Sequence, residues 1–586
     1  MKGKSCIAAL LAVFTLGMTT SCEDMFDIDS NRVVYDHELN STADSVYSTL
    51  GVLQCMRKVA DRYVILGEVR GDMVDINENT KTSLRNLANF DFEDDNEYLN
   101  VRDYYAIINN CNYALARMDT TLAINNKRVM VDEYVALIGI RAWTYLQLAI
   151  NYGEAYYYTA PLITENDVDK VKASGKKGVK AMVEDLAPQL IPYLDYELPT
   201  FAATQNGYPV LRLVLAELYL WSGDYENAKK YYEEYFMKNK KFSFSVANVQ
   251  QPGYLNLGGE FQKPVVTFLG NTARWSCAEV DNSEGYSSQL VDKKGYENLA
   301  YIRMSLSSNE GFVSELSSNG FFYSIDNTHY LNPSEAWHSL SASQRVFFYT
   351  KVDKKDSLMT TTALGDMRKQ RYYVTSIMSD GGEEYGRYEK FSSSNINIHR
   401  RAVACLRWAE SMNALAKQQY EVASDSAHKA EARNNAVNAF YLLKDASKVF
   451  FPDSSVVMKK FAYSVNESEW RTPFIGVHGR GCGDVRYDTT YYVLKPAVIA
   501  NRLGKVDEPV TFNDTIRYID ELIIDELALE STLEGNRFGD LVRFAERYDE
   551  PELLAKRVAA RKGAENVDAE LEAKLMDKSN WYLPFK

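Results

Sequence analysis

Apolar positions keep helical spacing over most of the first 240 residues. The clearest case is 211–236. There Leu211, Val214, Leu215, Leu218 and Tyr219 form one stripe, the pattern stops at Ser222-Gly223-Asp224, and Tyr225, Ala228, Tyr232 and Tyr235 form a second stripe. Gly223 suits the left-handed residue that ends a helix, and Asp224 suits the cap of the next one. The small Ala216 and Ala228 let the two helices approach closely. A hairpin of this kind cannot bury both faces alone, so it predicts stacked neighbours. Three other segments carry such a face: Val46, Leu50, Leu53 and Met56; Tyr104, Ile107, Ile108, Cys111, Ala114, Leu115 and Met118; and 132–152, with Tyr134, Leu137, Ile138, Arg141, Tyr145, Leu148 and Tyr152 on one side and Gly153 at its end.

The pattern changes at 241–397. Helical periodicity fades, Gly, Ser and Asn become frequent, and aromatic residues are interspersed, with short strands expected at 265–269 and 371–377. Helices resume at Ile398. The expectation is a mostly α chain of stacked helical hairpins, resembling tetratricopeptide (TPR) units, with a loop-rich insertion carrying short strands. Residues 474–483 form a glycine-rich loop, read as a close backbone turn because no GxGxxG opens a helix there.

The N-terminus reads differently. Lys2 and Lys4 precede the apolar run Ile7–Gly17 and then Met18-Thr19-Thr20-Ser21-Cys22, the layout of a signal peptide over 1–21. A lone cysteine after small residues is the lipoprotein pattern, so Cys22 is the expected acylated first residue and the lipid anchor. Thr19 stands where Leu is usual. Acyl burial is worth about 0.8 kcal/mol per methylene, so several chains on one cysteine hold firmly. Residues 22–40 form an acidic tether beginning Glu23, Asp24, Asp27 and Asp29. Asp27, Asp29, Asn31 and Glu38 fall on calcium-loop positions, but Arg32 stands where that loop needs glycine, and no metal is expected.

Composition narrows the function. With 46% hydrophobic and 25% charged residues the 586-residue chain is ordinary globular material, and a net charge of −14 without basic clusters argues against nucleic acid. The 41 tyrosines are unusual; their flat faces and polar tips suit both helix packing and surfaces that grip sugars or peptides. The seven cysteines show no CxxC, and neither HExxH nor GxSxG occurs. Neither a catalytic set nor a cofactor is expected. Arg70-Gly71-Asp72 is a cell-adhesion triplet only by chance match.

Several motifs in order resemble SusD/RagB-type proteins, the nutrient-binding outer-membrane lipoproteins of Bacteroidetes. They are Gly67-Glu68-Val69-Arg70-Gly71-Asp72; Ile108–Asn112; Arg141-Ala142-Trp143-Thr144-Tyr145 leading to Asn151-Tyr152-Gly153; Asp366 and Arg368; the run Arg401–Glu410; Glu534-Gly535-Asn536-Arg537 followed by Asp540 and Arg543; and the closing Trp581–Phe585. An acidic stretch after the lipid cysteine resembles the surface-export signal of the same group. The resemblance implies one SusD-like domain over 41–586, with N-terminal TPR-like helices at 41–240, a ligand-binding insertion at 241–397 and C-terminal helices and loops at 398–586. It also implies that Arg141, Asp366, Arg368, Glu534, Arg537, Asp540 and Arg543 are structural. Within 526–543, Glu534 to Arg537 and Arg537 to Asp540 are expected as helical i,i+3 neighbours.

By the same resemblance, the protein binds oligosaccharides at the cell exterior and hands them, as a lid, to a SusC-like TonB-dependent transporter. Peptide capture in the same role and a surface glycoside hydrolase are the alternatives. Exposed rings stack on the C–H faces of sugars while amides and charged groups bond their hydroxyls. Trp275, Tyr286, Tyr296, Tyr323 and Trp337 are therefore the expected ligand contacts, with Asn77 and Asn79 in the loop after Asp72.

Overall fold

In the computed structural model, the residues described are 42–199, 206–238, 250–255, 263–268, 298–304, 312–317, 321–322, 328–352, 355–362, 365–366, 368–369, 373–377, 384–388, 395–450, 476–483 and 485–585. The helical stripes fold as their spacing predicts. Thr42–Glu68 packs on Arg102–Leu115 and on Val131–Tyr152. The Val131–Tyr152 helix is buried along nearly its whole length and ends at Gly153, whose φ of +77° an L side chain would resist. Arg141 donates from Nη1 to Asn112 Oδ1 (2.7 Å) and from Nη2 to Gln189 Oε1 (2.6 Å), so one guanidinium ties three helices together.

The 211–236 hairpin is present as Leu211–Ser222 and Tyr225–Lys238, with Gly223 at φ +79° between them. Asp224 Oδ1 accepts the backbone N–H of Asn227 at 3.1 Å, the capping role expected of it. Ala216 and Ala228 are fully buried. The hairpin Arg401–Val422 and Ser426–Lys444 stacks against Tyr225–Lys238, with Trp408 parallel to Phe236 at 5.3 Å. Phe512–Ser531 crosses behind Arg401–Val422, and Arg537–Tyr548 returns to the first helix.

That return is close. A Cβ on Gly67 would lie 2.0 Å from the carbonyl oxygen of Gly535, and Gly535 itself has φ +81°. Glu68 Oε1 accepts the N–H groups of Gly535 and Asn536. The glycine-rich loop also makes close approaches: a Cβ on Gly476 would meet Leu443 O at 2.0 Å, and one on Gly481 would meet the Asp366 carboxylate at 2.2 Å.

The strands of the described residues form two-stranded antiparallel pairs. Lys263–Phe268 and Tyr373–Ile377 coincide with the two expected strands. Two pairs tie the insertion to the scaffold. Asn298–Ile302 pairs with Ile396–Arg400, directly before the Arg401 helix. Val74–Ile76, at the start of the expected polar loop, pairs with Leu331–Pro333 in the register Val74↔Pro333, Ile76↔Leu331. Among the described residues no helix is long and apolar enough to cross a membrane.

Candidate functional site

Two polar constellations compete for the role of functional site, and burial separates them. The first contains the motif residues. Arg368 grips Asp366 through Nε (3.0 Å) and Nη2 (2.7 Å), and its Nη1 donates to Glu526 (2.6 Å) and Glu530 (2.7 Å). Glu530 continues to Arg400 Nη1 at 2.6 Å, and Arg400 Nε reaches Glu534 at 2.7 Å. His478 Nδ1 lies 2.7 Å from the second oxygen of Glu526, with its ring parallel to Tyr492. Alongside, Arg543 holds Glu410 (3.0 and 2.9 Å) and Asp540 (2.6 Å), while Arg407 holds Glu217.

Of the two i,i+3 expectations, Arg537 and Asp540 do share one helix, and Glu534 with Arg537 needs correcting. The helix begins only at Arg537, so Glu534 lies on the preceding turn and faces Arg400. Arg537 instead takes Asp72 in a two-pronged pair at 2.5 and 2.8 Å. Asp540 pairs with Arg543, a true i,i+3 contact.

Burial on its own raises carboxylate pKa values, yet Glu217, beside Arg407, and Glu410, between Arg543 and Arg547, are held at about 2. Burial likewise raises the Glu526 carboxyl, and Arg368 and His478 bring it below its ordinary range. Every member is buried and matched with opposite charge. Such an array fixes helices against one another; it offers no acid, base or nucleophile to a substrate in solvent.

The second constellation is at the surface, where the insertion meets the first helices. The Val74–Ile76 strand delivers Asn77–Thr80, and the Leu331–Pro333 strand delivers His329 and Tyr330, to the same place. Asn77 Nδ2 donates to His329 O (3.0 Å), its Oδ1 accepts the Asn79 N–H (2.9 Å), and Thr80 Oγ1 donates to Tyr330 O (2.5 Å). The Asn77 amide is thus engaged in holding the turn, and both asparagines are half-buried.

Lys81 places its ammonium 5.1 Å from the centre of the half-buried Tyr330 ring and 3.8 Å from Glu315. Asp61, on the Thr42–Glu68 helix, accepts Ser314 Oγ (2.5 Å) and the Glu315 N–H (2.8 Å), pinning the 314–317 turn. Burial, and then Asp61, push the Glu315 carboxyl up to about 7 against the opposing effect of Lys81. Exposed Glu97 also acts on the Glu315 carboxyl and so lies at the edge of this surface.

Of the expected ligand contacts, Trp275, Tyr286, Tyr296 and Tyr323 lie outside the described residues, as does Cys22. Among the described residues, Phe321 and Phe322 are buried, and Phe321 O accepts the N–H groups of Tyr330 and Leu331. Trp337 is a correction. It is 1% exposed, on a helix (Glu335–Ala342) whose cap Ser334 accepts the Trp337 N–H at 3.0 Å and donates to Asp72 O. Clamped beneath the strand pair, the ring offers no face to a ligand.

No local sequence pattern marks Lys81, Glu315 or Tyr330 as a ligand contact. Their contacts join residues over two hundred positions apart, and no local pattern carries that information. A separate groove of about 1070 Å³ opens among Tyr225–Lys238, Arg401–Val422 and Ser426–Lys444, lined by Glu226, Lys230, Glu233, Met237, Leu415 and Gln419. It lies on the helical hairpins, away from this surface. No group of three or more His, Cys, Asp or Glu residues is arranged to hold a metal among the described residues.

Comparison with known proteins shows the fold. No family model matches the chain, and no curated protein matches it by sequence. Many solved structures match over most of its length. A SusD superfamily protein from Bacteroides thetaiotaomicron superposes with a TM-score of 0.51 at 13% identity, covering 92% of this chain and 93% of that one. A protein described as a putative sugar binding protein from Bacteroides vulgatus gives 0.50 at 16%, covering 87% and 88%. A SusD-like carbohydrate binding protein from Bacteroides fragilis gives 0.50 at 12%, covering 89% and 88%. The chain has the fold of the SusD superfamily.

Proposed function

We propose that this chain, built on the SusD-superfamily fold, is a lipid-anchored protein of the cell exterior that captures oligosaccharides and delivers them to a SusC-like TonB-dependent transporter. The observation that supports the reading is the strand pair Val74–Ile76 with Leu331–Pro333, which sets Tyr330 beside a polar, partly open surface on the helical frame. Tyr330 supplies a ring for the C–H face of a sugar, and Lys81, Glu315, Asn79 and Glu97 supply partners for its hydroxyls. Hydrogen bonds exchanged with water give little net affinity each, so capture is modest and release remains possible. The burial and pairing of the motif carboxylates favour a binder over a glycoside hydrolase, which needs an accessible acid and base.

A glycan array followed by calorimetry, on the chain carrying Cys22→Ser to keep it soluble, tests the capture step. Binding of at least one oligosaccharide, weakened roughly tenfold or more by Tyr330→Ala combined with Lys81→Ala, is the expected result; a tenfold loss corresponds to about 1.4 kcal/mol. Affinity for peptides with none for glycans would overturn the sugar reading. Incorporation of labelled palmitate that Cys22→Ser abolishes tests the anchor, and co-purification with the transporter from detergent tests the delivery role.

A further inference from the structure

A row of tyrosines stands on the helical frame, apart from the insertion. Tyr134, in the second turn of Val131–Tyr152, meets Tyr193 with ring centres 5.1 Å apart. Tyr193 meets Tyr196 at 5.6 Å. Successive rings are tilted by 45° and 49°, so the row curves. Tyr134 and Tyr193 are half-buried, and Tyr196 is exposed. The row is held from two sides. Asp195 and the carbonyl of Leu194, between the last two rings, both accept from Arg212 of the buried Leu211–Ser222 helix. From the other side the hairpin Ala123–Ile124/Lys127–Arg128 reaches over, and Arg128 Nη1 donates to the Tyr196 hydroxyl at 3.2 Å. Asn125 and Asn126 turn that hairpin with φ of +52° and +60°, and all six of its residues are exposed.

The charges around the rings are of both signs. Lys127 and Glu197 both act on the Asp132 carboxyl, which places them at the same edge, and Arg128 adds a second cation.

We propose that Tyr134, Tyr193 and Tyr196, with Arg128, Asp132 and Glu197, form a second oligosaccharide-binding surface that holds a neutral polysaccharide while the insertion site engages the end to be delivered. The inference rests on the glycan-capture reading above. Fixed rings in series meet the C–H faces of successive sugars with little ordering cost, because the frame has already immobilised them. Carboxylates accept from hydroxyls and the guanidinium donates to them, so the rim supplies both halves of sugar hydrogen bonding. A protein partner fits less well. A stable interface needs about 800 Å² per side with an apolar, charge-depleted centre, whereas three rings closely flanked by cations and anions provide no such centre.

Two sites on one frame bind a long chain more tightly than either alone, and a short oligosaccharide gains nothing from the second. The test uses the Cys22→Ser chain in native gels cast with a β-glucan, a xylan, a galactomannan or an arabinan, and calorimetry with the matching tetrasaccharide. Expected is that Tyr193→Ala with Tyr196→Ala reduces retardation by the polysaccharide that slows the parent, by roughly tenfold in apparent affinity. Tetrasaccharide affinity at the insertion site stays unchanged. Arg128→Ala, on the exposed hairpin, should give a smaller loss of the same kind. Equal retardation of parent and both variants overturns this inference and leaves the capture reading standing. Loss of co-purification with the transporter, with polysaccharide retardation intact, assigns the row to protein contact and also overturns it. A parent chain that no glycan retards or heats overturns both.

Discussion

A buried guanidinium needs every neighbour it has. Arg537 is 1% exposed and spends its donors on both oxygens of Asp72 and on the carbonyl of Ile524. Replacing it with alanine leaves the Asp72 carboxylate, 2% exposed, without its cation. Arg537→Ala should destabilise the fold by about 3–5 kcal/mol, measured as a lowered urea midpoint with the slope unchanged. The acids divide by sign. Glu217 and Glu410, held at about 2, contribute stability that is complete above the ordinary carboxylate value and is lost as pH falls toward 2. Glu315 is opposite: burial, then Asp61, raise it to about 7, so its contribution is greatest below the ordinary value of 4.5 and declines as pH rises through 7. Glu315→Gln should therefore flatten the part of the stability–pH curve between 4.5 and 7, and leave the acid limb below 4 as it was. A denaturation series across pH 3–8 reads both limbs; an unaltered slope between 4.5 and 7 would refute the assignment. Local sequence misled at this scale, because Glu534 and Arg537 stand three apart as helical neighbours do, yet the helix starts between them and each finds a partner over a hundred residues away.

Elements were more legible than their partners. The 211–236 hairpin reads directly from its spacing and its Gly-Asp turn because both signals are local, and the structure reproduces them. The strand pair that builds the candidate site does not read, since Val74–Ile76 is three residues long and its mate is more than 250 positions on. Glycine shows the same contrast within one helix. Gly67 and Gly51 both lie in Thr42–Glu68, and the sequence treats them alike. In the fold, a Cβ at Gly67 would collide with the Gly535 carbonyl, a backbone atom that cannot swing away, whereas one at Gly51 has nothing within 4 Å. Gly67→Ala should cost about 3 kcal/mol, the upper end of overpacking. Gly51→Ala should stabilise by about 0.5–1 kcal/mol by relieving the helix of its glycine. Thermal melts of the two single variants, shifted in opposite directions, check the crossing of the first helix with the turn at Gly535.

For the whole molecule, the ion pairs run between segments far apart in the chain: Asp72 with Arg537, Glu217 with Arg407, Arg400 with Glu530 and Glu534, Arg368 with Glu526. One contiguous apolar cluster spans residues from Val52 to Leu583. Removing the hairpin 211–238 would strand Arg407, and removing the hairpin 401–444 would strand Glu217, which is unlike a TPR array, where each repeat touches only its neighbours and unfolding can proceed piece by piece. The helical frame should therefore unfold in a single transition. Far-ultraviolet dichroism follows its helices, and fluorescence follows tryptophans that are buried across it, Trp143, Trp408 and Trp581. Coincident urea midpoints from the two probes are the expected result, and Arg407→Met should move both together by the same amount. Separated midpoints would mean that the stacked hairpins fold as independent units. A rigid frame would then no longer be available to hold the tyrosine row and the insertion site at a fixed distance, and the added grip on a long polysaccharide would vanish with it.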